Sequence, residues 1–123
     1  MIILDTNVLI EVLKNNTDTI STLSKLQAPM FISVITSMEL FYGARDKQEV
    51  KMLGKFLGNF EPLPIDESIS YCALGLVQQY AKSHTLDIPD SLIAASALIN
   101  QASLFTYNTK DFRFIPEIKL VEY

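Results

Sequence analysis

Short apolar runs alternate along this chain with longer segments whose hydrophobic positions recur at helical spacing. MIIL (1–4), MFISVIT (30–36), LFTYN (104–108) and IKLVEY (118–123) are apolar with β-branched or aromatic residues and predict strands, and LPI (63–65) predicts a weaker one limited by its prolines. Between them, Ile69, Cys72, Ala73, Leu76, Val77 and Tyr80 fall on one stripe and predict a helix over 67–83. Val50, Leu53, Leu57 and Phe60 do the same over 46–60, where Lys47, Lys51 and Lys55 line up on another face. Residues 90–102 are apolar nearly all round, which predicts a central helix. Strands alternating with helices imply an α/β fold: a parallel sheet wrapped on both sides through right-handed crossovers. Such sheets bind ligands beyond the carboxyl ends of their strands, where strand order reverses, so polar residues at strand ends and the helix starts that follow are the candidate chemistry.

A chain of 123 residues is expected to form one domain, 1–123, without repeats or an interdomain linker. Hydrophobic residues make up 49% and charged residues 20%, the balance of a folded protein, and no apolar run approaches the ~18 residues of a membrane span. MIILDTNVLIEVLK has no basic leader, so the chain reads as cytoplasmic. Cys72 has no partner for an internal disulfide and reads as a small core residue, and with His84 the one histidine there is no zinc cluster. Ten basic residues against fourteen acidic ones argue against a general nucleic-acid binder. Setting aside Asp5, Glu39, Asp90 and Asp111 leaves as many acids as bases, so the excess sits in four residues.

Each of these acids has a plain structural account. Asp5, directly after MIIL, suits a helix start; Thr36 and Glu39 in TSMEL fit a capping box; Asp90 beside Pro89 suits the first turn of a helix; Asp111 in NTKDF suits a turn or cap. Jointly these accounts weaken, because the fold logic sends all four to one rim. Two carboxylates ~4 Å apart repel by about 4 kcal/mol at an effective dielectric of 20, and a cation relieves this. Hard oxygen donors without Cys or His suit Mg²⁺ or Mn²⁺, one or two ions, the usual partners of phosphate chemistry. Other arrangements fare worse. His84 stands in KSHT with no serine in a nucleophile elbow, and neither a phosphate loop nor a dinucleotide fingerprint is present. Gly43 either ends the helix that carries Glu39 or admits a close backbone.

The motifs LDTNVLI, ITSMELFYGA, IPDSLIAASAL and FTYNTKDF, in that order over nearly the whole chain, resemble the PIN-domain ribonucleases, and most nearly the VapC-type toxins of bacterial and archaeal toxin–antitoxin pairs. The resemblance implies a three-layer α/β/α sandwich around a short parallel sheet of four to five strands. It also implies an acidic Mg²⁺ or Mn²⁺ site, hydrolytic cleavage of RNA such as transfer or ribosomal RNA, a homodimer, and a cognate antitoxin. By match, Asp5, Glu39 and Asp90 take the metal-site acids, with Asn7 and Thr106 in supporting polar positions. The sequence departs from many members by placing Asn108 where they carry Asp, with Asp111 three residues on. Asp87 reads more readily as an N-cap.

For substrate, Lys47, Lys51 and Lys55, with Arg45 nearby, are candidates to track phosphates, although such a stripe is more often a solvated face. Arg113 in DFRF is the better single candidate, because its planar fork matches phosphate oxygens. Met52, Phe56, Phe41 and Tyr42 are apolar beyond what one core needs and suit a partner face as well as packing. The reading that fits most residues is therefore a metal-dependent endoribonuclease toxin. The alternatives are a PIN nuclease of RNA processing, a receiver-like signalling domain, and an inactive binding module. A receiver expects paired acids ending its first strand, and here Asp5 is followed by Thr6 and Asn7.

Overall fold

The computed structural model describes residues 1–123. Five parallel strands, β1 (Ile2–Leu4), β2 (Met30–Ser33), β3 (Glu61–Leu63), β4 (Ser103–Phe105) and β5 (Lys119–Leu120), form one sheet in the order β3-β2-β1-β4-β5. Six helices surround it: α1 (Thr6–Leu13), α2 (Thr17–Lys25), α3 (Val34–Tyr42), α4 (Lys47–Leu57), α5 (Glu67–Tyr80) and α6 (Ile88–Ile99). The chain builds outward from β1 to β3 on one side and then returns to the other side of β1 as β4, so strand order reverses between β1 and β4.

Alternation along each strand divides the core into two layers. Ile3 and Leu104 point to one face, against Ile69, Ala73 and Leu76 of α5 and Ile93, Ala94 and Ala97 of α6. Ile2, Leu4 and Phe105 point to the other, against Val8 and Leu9 of α1, Leu40 of α3 and Leu53 and Leu57 of α4. Helices therefore cover both faces, as the strand–helix alternation implies. Helix α6 buries Ser91 and every residue from Ile93 to Ala97, and its alanines let it lie close to the sheet. The serines do not leave polar groups stranded there, because Ser91 and Ser96 donate to the carbonyls of Ile88 and Leu92.

Several boundaries differ from the sequence expectation. The run 30–36 is a strand only to Ser33, whose hydroxyl accepts from the Ile35 N–H at 3.0 Å and starts α3. The Thr36–Glu39 capping box is thus not formed. Ser33 is the cap, and Thr36 lies inside the helix and is fully buried. Ser33→Ala is expected to cost about 1 kcal/mol, read as a lower urea midpoint at unchanged slope. The run 118–123 pairs only at Lys119–Leu120, and 63–65 is displaced to Glu61–Leu63, an edge strand where Pro62 removes a donor the sheet does not require. Val50, expected on the buried stripe, is 41% exposed. Helix α2 carries little apolar periodicity and is not evident from its sequence; Asn16 caps it by accepting from Asp18 and Thr19 N–H.

Candidate active site

The reversal of strand order puts the ends of β1 and β4 side by side, and Asp5 and Thr106 follow them. The Asp5 N–H donates to the Phe105 carbonyl at 2.9 Å, which continues the ladder one step beyond the strands. Asp5 also caps α1. One carboxylate oxygen accepts from the Thr6 N–H at 2.8 Å, and the other accepts from Thr106 Oγ1 at 2.7 Å. The side chain is 5% exposed. Burial pushes its pKa up; the Thr106 and Thr6 hydrogen bonds pull it down; the charges of Asp111 and Asp87 raise it again, and the net direction is upward.

Thr106 is the hub of this corner. Its hydroxyl donates to Asp5 and accepts from the Asn108 N–H at 3.0 Å and from Asn7 Nδ2 at 3.3 Å. Asn7 Oδ1 in turn accepts from the Tyr107 N–H at 3.2 Å, pinning the first turn of α1 to the chain leaving β4. Thr106→Val keeps the volume but removes a donor to a buried carboxylate and an acceptor from two N–H groups. It should lower stability by ~1–3 kcal/mol, measured by denaturant melts, and drive the Asp5 pKa further up, measured by carboxyl NMR titration.

Glu39 approaches from α3. Thr6 Oγ1 donates to Glu39 Oε1 at 2.8 Å and lies 3.0 Å from the buried Thr36 hydroxyl, so the residue beside Asp5 also orients Glu39. Sequence reasoning passed over Thr6; the only signal available was a hydroxyl next to the strand-end acid. Gly43 ends this helix, its N–H bonded to the Glu39 carbonyl.

Asp90 sits in the first turn of α6. Asp87 is the N-cap, as expected, with its carboxylate accepting from the Asp90 N–H at 2.8 Å. Partial burial, then the charges of Asp87, Asp5, Asp111 and Glu39, push the Asp90 pKa up to about 7. Asp90 therefore lies within the electrostatic reach of all four other acids, drawn from separate parts of the chain. Asp111 closes a 3-10 turn, Thr109–Asp111, that begins at Asn108, with its N–H donating to the Asn108 carbonyl.

No cation lies among these acids. The two ion pairs of the molecule are Lys14–Glu11 and Arg45–Glu49, both elsewhere. Nor do three or more Asp, Glu, His or Cys side chains form a ready cage for an ion. The donor set is oxygen throughout, and burial together with the neighbouring negative charges raises Asp90, so the set fits a hard ion that keeps several of its waters rather than one gripped by protein alone. The lysine stripe of α4 lies on another face of that helix. Glu49 and Leu53 of α4 border the same groove as Glu39, and Lys47 and Lys51, two positions before each, project from the opposite side of the helix into solvent. Arg113 is exposed, two residues after Asp111. The largest cavity, about 870 Å³, opens beside Cys72, the end of α6 and Pro116–Lys119 and includes none of these acids.

A parallel sheet of this order with acids gathered across its β1–β4 switch point can be compared with known proteins. The PIN-domain profile matches residues 2–117. The chain belongs to the PIN-domain family. It is 32% identical to Ribonuclease VapC1 of Methanocaldococcus jannaschii over 99% of this chain and 86% of the relative. Among solved structures, its PIN fold superposes on a toxin–antitoxin complex from Klebsiella pneumoniae with a TM-score of 0.80, at 30% identity over 96% of this chain and 95% of that one. It superposes on VapBC2 from Rickettsia felis, bound to a DNA fragment from its promoter, with a TM-score of 0.84, at 28% identity over 100% and 99% of the two chains. No helix of this PIN chain is long and apolar enough to cross a membrane.

Proposed function

We propose that this chain is an endoribonuclease that acts as the toxin of a toxin–antitoxin pair, hydrolysing RNA phosphodiester bonds under the restraint of a cognate antitoxin. The observation that carries the reading is that, in a PIN fold, burial and the charges of Asp87, Asp5, Asp111 and Glu39 act together on Asp90 and push its pKa up to about 7. Full-length similarity to a VapC ribonuclease and to VapBC complexes supports both activity and partner.

Asp5, Asp90 and Glu39, with Asp111 or the Asn108 side-chain oxygen at the fourth position, are the groups that would hold Mg²⁺ or Mn²⁺. Such an ion, when bound, eases deprotonation of the attacking water and offsets charge on the phosphate oxygens. The chain's own contribution is positioning. The Thr6 N–H and Thr106 hydroxyl hold both oxygens of Asp5 in one orientation, and Thr6 Oγ1 does the same for Glu39. The backbone of Asp90 is fixed by its place on a helix that is buried from Ile93 to Ala97, which keeps the residue near the other acids. Rigid placement of this kind is what converts an acidic cluster into a site where a water and a phosphate meet in line.

The test is cleavage of a labelled RNA by the purified chain with Mg²⁺, with Mn²⁺ and with EDTA. Cutting that EDTA stops and either ion restores is expected. Cutting that persists in chelator would remove the metal, and a chain that leaves RNA intact with either ion would remove the nuclease.

A further inference from the structure

Outside the acidic corner, an aromatic cluster at the loop after α5 reaches the surface. His84, in the loop joining α5 to α6, stacks on Phe114 with ring centroids 4.2 Å apart and planes 18° from parallel. Tyr80, at the end of α5, packs against both rings, 5.6 Å from His84 with planes 76° apart and 5.1 Å from Phe114 with planes 58° apart. His84 is nevertheless exposed, so one ring face is supported from below while the rest is open to water. Its Nδ1 lies 2.8 Å from Ser83 Oγ, which fixes the ring in its plane.

The stack joins two segments that carry the acids. His84 precedes Asp87 by three residues and Phe114 follows Asp111 by three, a chain length of at most ~10 Å in each case. The same segments carry Lys82, Lys110 and Arg113, all exposed and none of them in an ion pair. A supported aromatic face whose two segments carry unpaired cations and run on to acids matches what single-stranded nucleic acid requires: a surface on which a base stacks and charges that follow the phosphates.

We propose that the His84–Phe114 stack is the platform for an unpaired base flanking the cleavage point, with Arg113, Lys110 and Lys82 contacting the phosphates on either side. The proposal rests on the ribonuclease reading above and names how that substrate is gripped. It explains how an acidic protein holds a polyanion: three cations serve the approach, and the acids face only the phosphate that is cut. It also relocates the phosphate contacts from the Lys47–Lys51 face to the segment that follows β4.

The experiment is fluorescence anisotropy with an unstructured, labelled single-stranded oligoribonucleotide and Mg²⁺, in an Asp5→Asn background so that the probe survives. His84→Ala should weaken binding at least about fivefold, and His84→Tyr, which keeps a stacking face, should bind within about twofold of the parent. Arg113→Ala should weaken binding and lower the salt slope by about one. Lys25→Ala, an equal charge change on α2, should alter neither. The platform is overturned if His84→Ala and Arg113→Ala bind like the parent, or if His84→Tyr is as weak as His84→Ala while both melt at the parent temperature. Parental cutting of RNA in either of those cases leaves the ribonuclease reading standing. A parent that neither cuts nor binds the RNA overturns both.

Discussion

Asp90→Asn should make the ion-free protein more stable at pH 8 and, with Mg²⁺ present, at least about a hundredfold slower at cutting RNA. The two effects share one cause. Asp90 is partly buried among four other acids, and its pKa of about 7 measures how poorly that setting tolerates the charge. The asparagine is nearly isosteric and removes the charge, so the repulsion disappears with it. The shift from 3.8 to about 7 sets an upper bound of ~4 kcal/mol, and solvent screening at a carboxylate this open reduces it to ~1–2 kcal/mol, or roughly 5 °C in Tm. Removing groups that merely support metal ligands costs 10- to 100-fold in comparable sites, so losing Asp90, a ligand in the proposed site, should cost at least the larger figure. Differential scanning fluorimetry in EDTA reads the first effect and RNA cleavage the second. An Asp90→Asn protein that melts below the parent and cuts at the parental rate would show the acid to be a helix-start residue and no more.

The pH response of the ion-free parent follows with the sign opposite to that of a salt-bridged carboxylate. Asp5 and Asp90 both have folded pKa values above 3.8. Between 3.8 and the folded value the native state holds more protons than the unfolded chain, so stability falls as pH rises through that window. For Asp90 the window runs from about 4 to about 7. In EDTA, the melting temperature is therefore expected to decline from pH 5 to pH 8. Divalent ions and protons compete for the same oxygens, so Mn²⁺ affinity should fall by up to about tenfold per unit as pH drops below 7. Calorimetric Mn²⁺ titrations at pH 6, 7 and 8 test this without any reference to cleavage, and an affinity independent of pH would place the ion away from Asp90.

Much of this could be read along the chain because the signals are local. The stripe on α5, the apolar circumference of α6 and the alternation of strand and helix each arise from neighbours in sequence, and they led to the parallel sheet and to its carboxyl rim. The N-cap role of Asp87 was legible for the same reason, since a cap bonds within its own turn. Glu39 shows the limit. A threonine three residues before it suggested a capping box, but Ser33 had already started the helix, and Glu39 instead takes its hydrogen bond from Thr6 across a sequence separation of 33.

The sequence by itself determined the fold class and the family the chain resembles, and it singled out four acids as candidates, because hydrophobic period and residue type are properties of single segments. Only the tertiary structure decided that Thr106 holds Asp5 across 101 residues, that Glu49 and Leu53 rather than the lysine stripe of α4 border the groove at Glu39, and that His84 rests on Phe114. Those facts depend on which strand ends are brought together when the chain reverses about β1. Long-range pairing of that kind leaves no periodic trace in the segments it joins, since each of them satisfies its own local rules whether or not the partner arrives.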